Sequence, residues 1–242
     1  MIEIRHSSMN DSSSTQAAYD DYYNSGGVDL ATSFYMWLLD KLKPEPGKLL
    51  LDISCGRGKL VNIAVKRGVH AIGFDFSIRA ILQNPLNLKQ SRFLISDGEK
   101  AGLISGFADY ITHIGNLEHY QDPAAGLREV SRLLKPSGTA MILLPNTFSF
   151  FGNLQNVRRT GQVFDDGQPL QRYNTRAGWL NLIESNGLKI YKTIRYERAI
   201  PQTRQDWLSY IRKPTHLLRL LLQWVIPFNW SNCFVYFCRR KT

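Results

Sequence analysis

Five short apolar runs, "KLLLDI", "VHAIGFD", "SRFLIS", "FADYITHIG" and "TAMILLP", alternate with segments of helical period between residues 48 and 145. Runs of that length, bounded by turn residues, read as buried strands. Asp29 is placed to cap a first helix carrying Leu30, Phe34, Trp37, Leu38 and Leu42 on one stripe, and "KPEPG" stops it. A second helix is expected over residues 58–67, ending near Gly68, and "SIRAILQNPL" is a third. In "DPAAGLREVSRLLKPSG" Asp122 is the cap, Pro123 opens the first turn, Leu127, Val130 and Leu134 face inward, and Gly138 lies beyond the end. Strands alternating with helices predict an α/β fold, a doubly wound parallel sheet with helices on both faces and ligands beyond the carboxyl ends of its strands.

A chain of 242 residues suits one such domain with an elaboration better than two independent ones. Its opening stretch, "MIEIRHSSMNDSSSTQ", lacks the basic start and continuous apolar core of an export signal and reads as a disordered arm. Cys55, Cys233 and Cys238 make an odd count without metal-ligand spacing, so no metal site is expected. Cys233 and Cys238 would face opposite sides of one strand. A reduced, cytoplasmic compartment fits this usage. The formal charge of +10 biases the surface toward phosphates or anionic lipid headgroups.

The stretch "DISCGRG" puts Asp52 at the end of the first run, with Ser54, Gly56 and Gly58 in the turn that follows. Small residues let backbone amides approach a ligand closely. Neither register of the turn meets the glycine spacing of a dinucleotide fingerprint, and Leu60 after Gly58-Lys59 breaks the phosphate-loop pattern. Two more acids stand after the next runs, Asp75 in "IGFDFS" and Asp97 in "LISDGEK". A carboxylate about 20 residues past such a turn accepts hydrogen bonds from ribose hydroxyls, and Asp97 is then placed for an exocyclic amine. Together they describe a site for an adenosine ligand without phosphate.

"LLLDISCGRG", "IGFDFS", "SDGEKAGLISGFADYITHIGNLEHYQDP" and "LREVSRLLKPSGTAMILLPN" resemble, in order and spacing, successive segments of the class I S-adenosylmethionine-dependent methyltransferases. The likeness is to the small-molecule, type 11-like group whose fourth strand ends in Leu-Glu-His. It implies a Rossmann-like seven-stranded sheet with an antiparallel last strand, and S-adenosylmethionine as cofactor, with S-adenosylhomocysteine as product. It further implies that the turn bearing Asp52, Ser54, Cys55 and Gly56 meets the methionine part, and that Asp75, followed by Phe76 and Ser77, meets the ribose. Asp97, Gly98 and Glu99 would meet the adenine, and Ile114 and Gly115 would complete the pocket. Position 54, usually glycine in that family, is serine here. His119, in the Leu-Glu-His triplet, would face the acceptor as general base, or else orient the following loop with Glu118 beside it. His113 reads as a packed core residue.

The acceptor is expected to be a small or lipid-linked molecule methylated on oxygen. The run "GNLEHY" lacks the Asn/Asp-Pro-Pro-aromatic pattern of base N-methylating enzymes, and no cysteine stands there for cytosine chemistry, so nucleic acid is not the expected partner. Residues 1–28 include "YDDYYNSGG", a candidate lid, and residues 29–242 form the methyltransferase domain. Residues 146–174 are a long connection on the acceptor side. Tyr19 and Tyr23 of the lid, with Arg172 and Tyr173 of the connection, are the acceptor candidates. "TRAGWLNLIESNG" reads as a helix, and "LKIYKTIRYE" and "NCFVYFCRR" as strands. Residues 200–230 are an apolar and basic elaboration in which His216, Arg219 and Gln223 share one helical stripe. That helix is too short to span a bilayer and either lies on a membrane surface or packs on the sheet. A non-catalytic scaffold of the same fold and an RNA methyltransferase using the basic surface are the alternatives.

Overall fold

A computed structural model describes residues 1–6, 12–28, 30–84 and 92–241. In chain order the strands are β1 (Ile2–Arg5), β2 (Leu49–Ile53), β3 (His70–Asp75), β4 (Phe93–Ile95), β5 (Ala108–Ile114), β6 (Leu134–Pro145), β7 (Leu170–Tyr173), β8 (Leu188–Tyr196) and β9 (Cys233–Arg240). The helices are α1 (Ser12–Asn24), α2 (Thr32–Leu42), α3 (Lys59–Lys66), α4 (Ile78–Leu82), α5 (Pro123–Leu133), α6 (Gln155–Thr160), α7 (Arg176–Ser185), α8 (Arg204–Arg212) and α9 (Pro214–Leu222).

One seven-stranded sheet has the order β4-β3-β2-β5-β6-β9-β8. Strands β4 to β6 pair in parallel, and β9 runs antiparallel to both β6 and β8, as the resemblance implies. Helices cover both faces, so successive strand residues enter different cores and neither set is polar. Leu51 and Ile53 of β2 pack with Leu127, Val130 and Leu133 of α5 and with Trp179 and Ile183 of α7. Leu50 turns to the other face, with Phe34, Leu38 and Leu39 of α2 and Leu60, Val61 and Ala64 of α3. The same alternation separates Cys238 from Cys233, and all three cysteines are free thiols. Trp179 is fully buried, and its indole N–H donates to the Pro145 carbonyl at 2.8 Å. That bond satisfies the polar end of the largest core side chain.

Several expectations shift. Of the opening stretch expected as a disordered arm, the described residues are structured: β1 pairs antiparallel with β7, from Ile2 opposite Tyr173 to Arg5 opposite Leu170, and α1 begins at Ser12. The alternation Ile-Glu-Ile-Arg suits a strand, and Glu3 meets Arg172 of the partner strand at 2.8 Å. The serine-rich residues 7–11 lie outside the described residues. So does Asp29, and α2 starts at Thr32 after Ala31, which leaves Leu30 outside the helix. The third helix is only α4, capped by Ser77, with residues 85–91 outside the described range. Leu134 belongs to β6 rather than to the helix before it, because its backbone has already turned extended (ψ 134°). The connection over 146–174 is partly structured. It holds a helical turn at Phe150–Leu154, α6 and β7, and its ends meet in an Asn146–Asn174 bridge.

Helix α9 turns part of its apolar surface outward, while Leu217, Leu220 and Leu222 are half-buried. Leu218, Leu221, Trp224 and Val225, on and just beyond it, are exposed at 50–76%, whereas His216 and Arg219 are turned toward the protein.

Candidate active site

At the carboxyl end of β2 the chain leaves the sheet through Ser54, Gly56 and Gly58, all at positive φ. A Cβ on Gly58 would lie 2.3 Å from the Phe93 ring, so only glycine fits. Ser54 carries a side chain at φ 54°, a conformation that costs about 1 kcal/mol for most residues. Its hydroxyl is bonded to the Tyr120 hydroxyl at 2.7 Å, and Asn116 donates to its carbonyl at 2.9 Å. These bonds explain how serine occupies a glycine-like position.

Each predicted acid stands at a strand end, held in place by its neighbours. Asp52 accepts from the Thr112 hydroxyl at 2.6 Å, and burial pushes its pKa up to about 7. Asp75 accepts the Gly56 N–H at 2.8 Å and the Ser77 N–H at 2.9 Å, with burial raising its pKa to about 6. It therefore ties the glycine turn to the start of α4. Asp97 accepts the Glu99 N–H at 2.9 Å. Beside it, a Cβ on Gly98 would stand 1.8 Å from the Tyr120 oxygen, so that backbone lies flat against the tyrosine.

These groups line one cavity of about 200 Å³, and every cofactor candidate named from the sequence except Ser77 borders it. Ser77 lies just behind, where its hydroxyl caps α4 and contacts Asp20. Helix α1 roofs the cavity with Tyr19, Tyr22 and Tyr23. Gln16 donates to the Phe76 carbonyl at 2.9 Å, Gln83 to the Tyr23 carbonyl at 3.0 Å and Arg57 to the Gly26 carbonyl at 2.6 Å. The roof is thus fastened by polar contacts along its length.

His119 borders the same cavity from the short turn Leu117–His119. Its Nδ1 is bonded to the Leu170 carbonyl. A carbonyl only accepts, so Nδ1 carries the proton and Nε2 keeps its lone pair. Burial lowers the imidazole pKa from its ordinary value, which keeps the ring neutral near pH 7. The Glu118 carboxyl is 4.0 Å from Nε2, and burial lifts its pKa to about 8. His113 is the core residue expected: fully buried, held neutral by burial with a pKa of about 3, its ring tilted 58° against that of Tyr120 at 5.0 Å.

Two acceptor candidates fall elsewhere. Arg172 and Tyr173 do not border the cavity, because β7 is consumed in pairing with β1. Arg172 is buried between Glu3 and the carbonyls of Tyr120 and Gln121, and the Tyr173 hydroxyl donates to the Phe164 carbonyl at 2.9 Å. Arg172 thereby braces the loop that carries His119, whereas Tyr173 ties down the connection at Phe164. Sequence reasoning missed Tyr120 and Gln168, which do border the cavity. The place of Tyr120 directly after the Leu-Glu-His triplet was a signal for it, whereas nothing local marks Gln168.

The residues fit an adenosine cofactor of this kind. Flat glycine backbone at Gly56 and Gly98 leaves no room for side chains, and the Asp75 and Asp97 residues border the same space. A family model described as a methyltransferase domain matches residues 28–193. A ubiquinone biosynthesis O-methyltransferase of Aeromonas salmonicida is 31% identical over 113 residues, which are 44% of this chain and 47% of that protein. The chain therefore spans about half the length of the curated relatives it matches. An S-adenosylmethionine-dependent methyltransferase of Mesorhizobium loti superposes with a TM-score of 0.61 at 14% identity, covering 86% of this chain and 98% of that one. Geranyl diphosphate C-methyltransferase of Streptomyces coelicolor, solved with S-adenosylhomocysteine, gives 0.59 at 15% identity over 87% and 77% of the two chains. With the family model spanning more than half of its length over this glycine turn and its acids, the chain belongs to the methyltransferase domain family.

Proposed function

We propose that the chain methylates an oxygen of a small or lipid-linked acceptor, with His119 as the general base. The observation that carries this reading is the Nδ1 bond to Leu170, which leaves the Nε2 lone pair free on a neutral imidazole at the cavity wall. The bound cofactor supplies a methyl group on a positively charged sulfur. Asp75 would accept from the ribose hydroxyls, Asp97 and Gly98 would hold the adenine, and the backbone of the turn at residues 52–56 would meet the methionine part. His119 takes the acceptor's proton at Nε2 as the oxygen becomes a nucleophile. No covalent enzyme nucleophile is required, so most of the catalysis is positioning. The tyrosines of α1 exclude water from above, and their release lets ligands exchange. The name of the Aeromonas relative supports oxygen as the acceptor atom.

Residues 29–242 act in this reading as one domain whose acceptor side is built by residues 146–174 and 200–230. Among the described residues no helix is long and apolar enough to cross a membrane. The outward apolar side chains of α9, beside Arg212 and Lys213, support peripheral contact with a lipid surface.

The test is methyl transfer from labelled S-adenosylmethionine to phenolic and polyprenyl-linked hydroxyl acceptors. His119→Gln is expected to lower kcat by about 10²–10⁴-fold. Affinity for S-adenosylhomocysteine should stay within about twofold, since the cofactor half is untouched. Because burial depresses the His119 pKa below 6.5, wild-type kcat should fall on the acid side of that value and be flat from neutrality upward. Full activity of His119→Gln would remove the base, and cofactor binding without turnover on any acceptor would favour the scaffold alternative.

A further inference from the structure

The inward face of α9 covers a second group of charged side chains, outside the methyl-transfer cavity. Arg198 follows β8, and its guanidinium lies 5.5 Å over the Tyr210 ring of α8. His216 meets the same ring edge-on at 5.4 Å. Arg219 lies 5.4 Å over Phe151 and donates to the Asn232 side chain at 3.3 Å. Three nitrogens here, Arg198 Nε, Arg219 Nε and His216 Nδ1, are shielded from solvent and bonded to nothing. Among the described residues no ion pair within 4.0 Å joins a carboxylate to Arg198 or Arg219. The adjacent Glu197 carboxyl instead accepts the Asn232 N–H at 2.8 Å, and burial raises its pKa.

Unpaired N–H groups of guanidinium shielded from water are costly unless an anion answers them. Two arginines and a histidine converge beside one carboxylate, that of Glu197, which acts on the Arg219 charge without forming an ion pair with it, so the group is an incomplete ion-pairing site. The planar fork of arginine matches the oxygens of phosphate better than it matches any neutral group. Burial and the neighbouring Arg198 charge also depress the Arg219 pKa, a strain that a bound anion relieves. The cluster sits at the carboxyl end of the sheet, as the main cavity does. Arg198 lies just past β8 and Asn232 just before the antiparallel β9. Tyr196, at the end of β8, packs at 4.9 Å on Phe34, which borders the main cavity. The outer side of α9 is apolar, so an anion held beneath it lies next to a surface suited to hydrocarbon.

We propose that Arg198, Arg219 and His216 bind a phosphate or diphosphate group, carried by the methyl acceptor or by a lipid at the surface that α9 faces. The acceptor role rests on the methyltransferase reading above, whereas anion binding does not.

The experiment titrates the purified chain with inorganic phosphate and diphosphate by calorimetry. In parallel, its sedimentation is measured with phosphatidylcholine vesicles with and without phosphatidic acid. Diphosphate should bind, and Arg219→Gln and Arg198→Gln should each weaken binding about tenfold or more. S-adenosylhomocysteine affinity and the thermal midpoint report whether each variant is folded. If Arg219→Gln does not fold, Arg219→Lys, which keeps a charge but loses the fork, takes its place beside Arg198→Gln. Sedimentation with acidic vesicles only, reversed by diphosphate, supports a lipid headgroup as the source. Diphosphate binding without vesicle binding supports a soluble phosphorylated ligand. If wild type binds neither diphosphate nor acidic vesicles, or if both arginine variants bind as wild type does, the proposal is overturned. Absence of S-adenosylhomocysteine binding in wild type would instead defeat the methyltransferase reading and leave the anion result standing.

Discussion

The acids around the glycine turn and the polar groups near β7 and α9 are satisfied in different ways. Around the glycine turn each acid has a local partner: Thr112 for Asp52, the Gly56 and Ser77 amides for Asp75, the Glu99 amide for Asp97. Toward the acceptor side, buried polar atoms stand without partners, including Glu118 Oε2, Gln171 Oε1 and the nitrogens beneath α9. Local satisfaction preorganises a site that always holds the same ligand. Unsatisfied groups leave room for a further partner, which in the proposal above is an anion beneath α9. The first arrangement can recur across a family, while the second distinguishes one member from another.

The largest effect that would sharpen this contrast lies in the shared core. Trp179→Ala should lower unfolding stability by about 3–5 kcal/mol, through the cavity it leaves and the orphaned Pro145 carbonyl, as read by denaturant titration. A loss below about 1 kcal/mol would mean that the two halves do not share the core described.

Next in size is the cofactor half itself. Asp75→Ala removes the acceptor of two backbone N–H groups and, in the proposed reading, of the ribose hydroxyls, and should weaken S-adenosylhomocysteine binding by about a hundredfold. The same affinity should depend on pH. The ligand favours the ionised carboxylate, and burial places the Asp75 pKa near 6 in the free protein. Affinity is therefore level above about pH 7 and falls by up to about tenfold per unit below 6. Calorimetry across that range checks the sign, and tighter binding in acid would refute it.

A smaller effect is expected at Ser54. Ser54→Gly relieves about 1 kcal/mol of backbone strain and removes a hydrogen bond of about the same worth, so stability and cofactor affinity should change little. A marked gain in affinity would show that the Ser54–Tyr120 bond holds the turn away from its best shape. The smallest change in stability belongs to α9. Leu221→Ser, at a side chain 72% exposed, should alter stability by less than about 0.5 kcal/mol while reducing vesicle binding. A clear loss of stability would mean that this face is covered within the protein.

The cofactor half was readable because its determinants are local. Near-continuous apolar runs gave β2, β3, β5 and β6, and each acid lies within a residue or two of a strand end. The acceptor half resisted reading because its determinants are distant in sequence. The pairing of β1 with β7 joins opposite ends of the chain, and it removes Arg172 and Tyr173 from the cavity they were expected to line. Helix α9 shows a second limit. An amphipathic pattern establishes that a helix has two faces, and it does not say which faces the protein. Tyr120 was passed over because its role depends on the hydroxyl of Ser54, and that contact exists only after the turn and the fourth parallel strand have come together.

The ribbon of β1 and β7 also sets the order in which competence arrives during synthesis. The glycine turn and its acids are all present once β6 has emerged, and the strands that hold them are neighbours in the sheet. The Leu170 carbonyl that fixes the His119 tautomer comes later, and β1 has no partner strand until then. A contact joining the first residues to β7 carries a large loop-closure cost and forms after the local ones. In the proposed reading, the groups that would hold the cofactor are therefore synthesised before the contact that fixes the His119 tautomer.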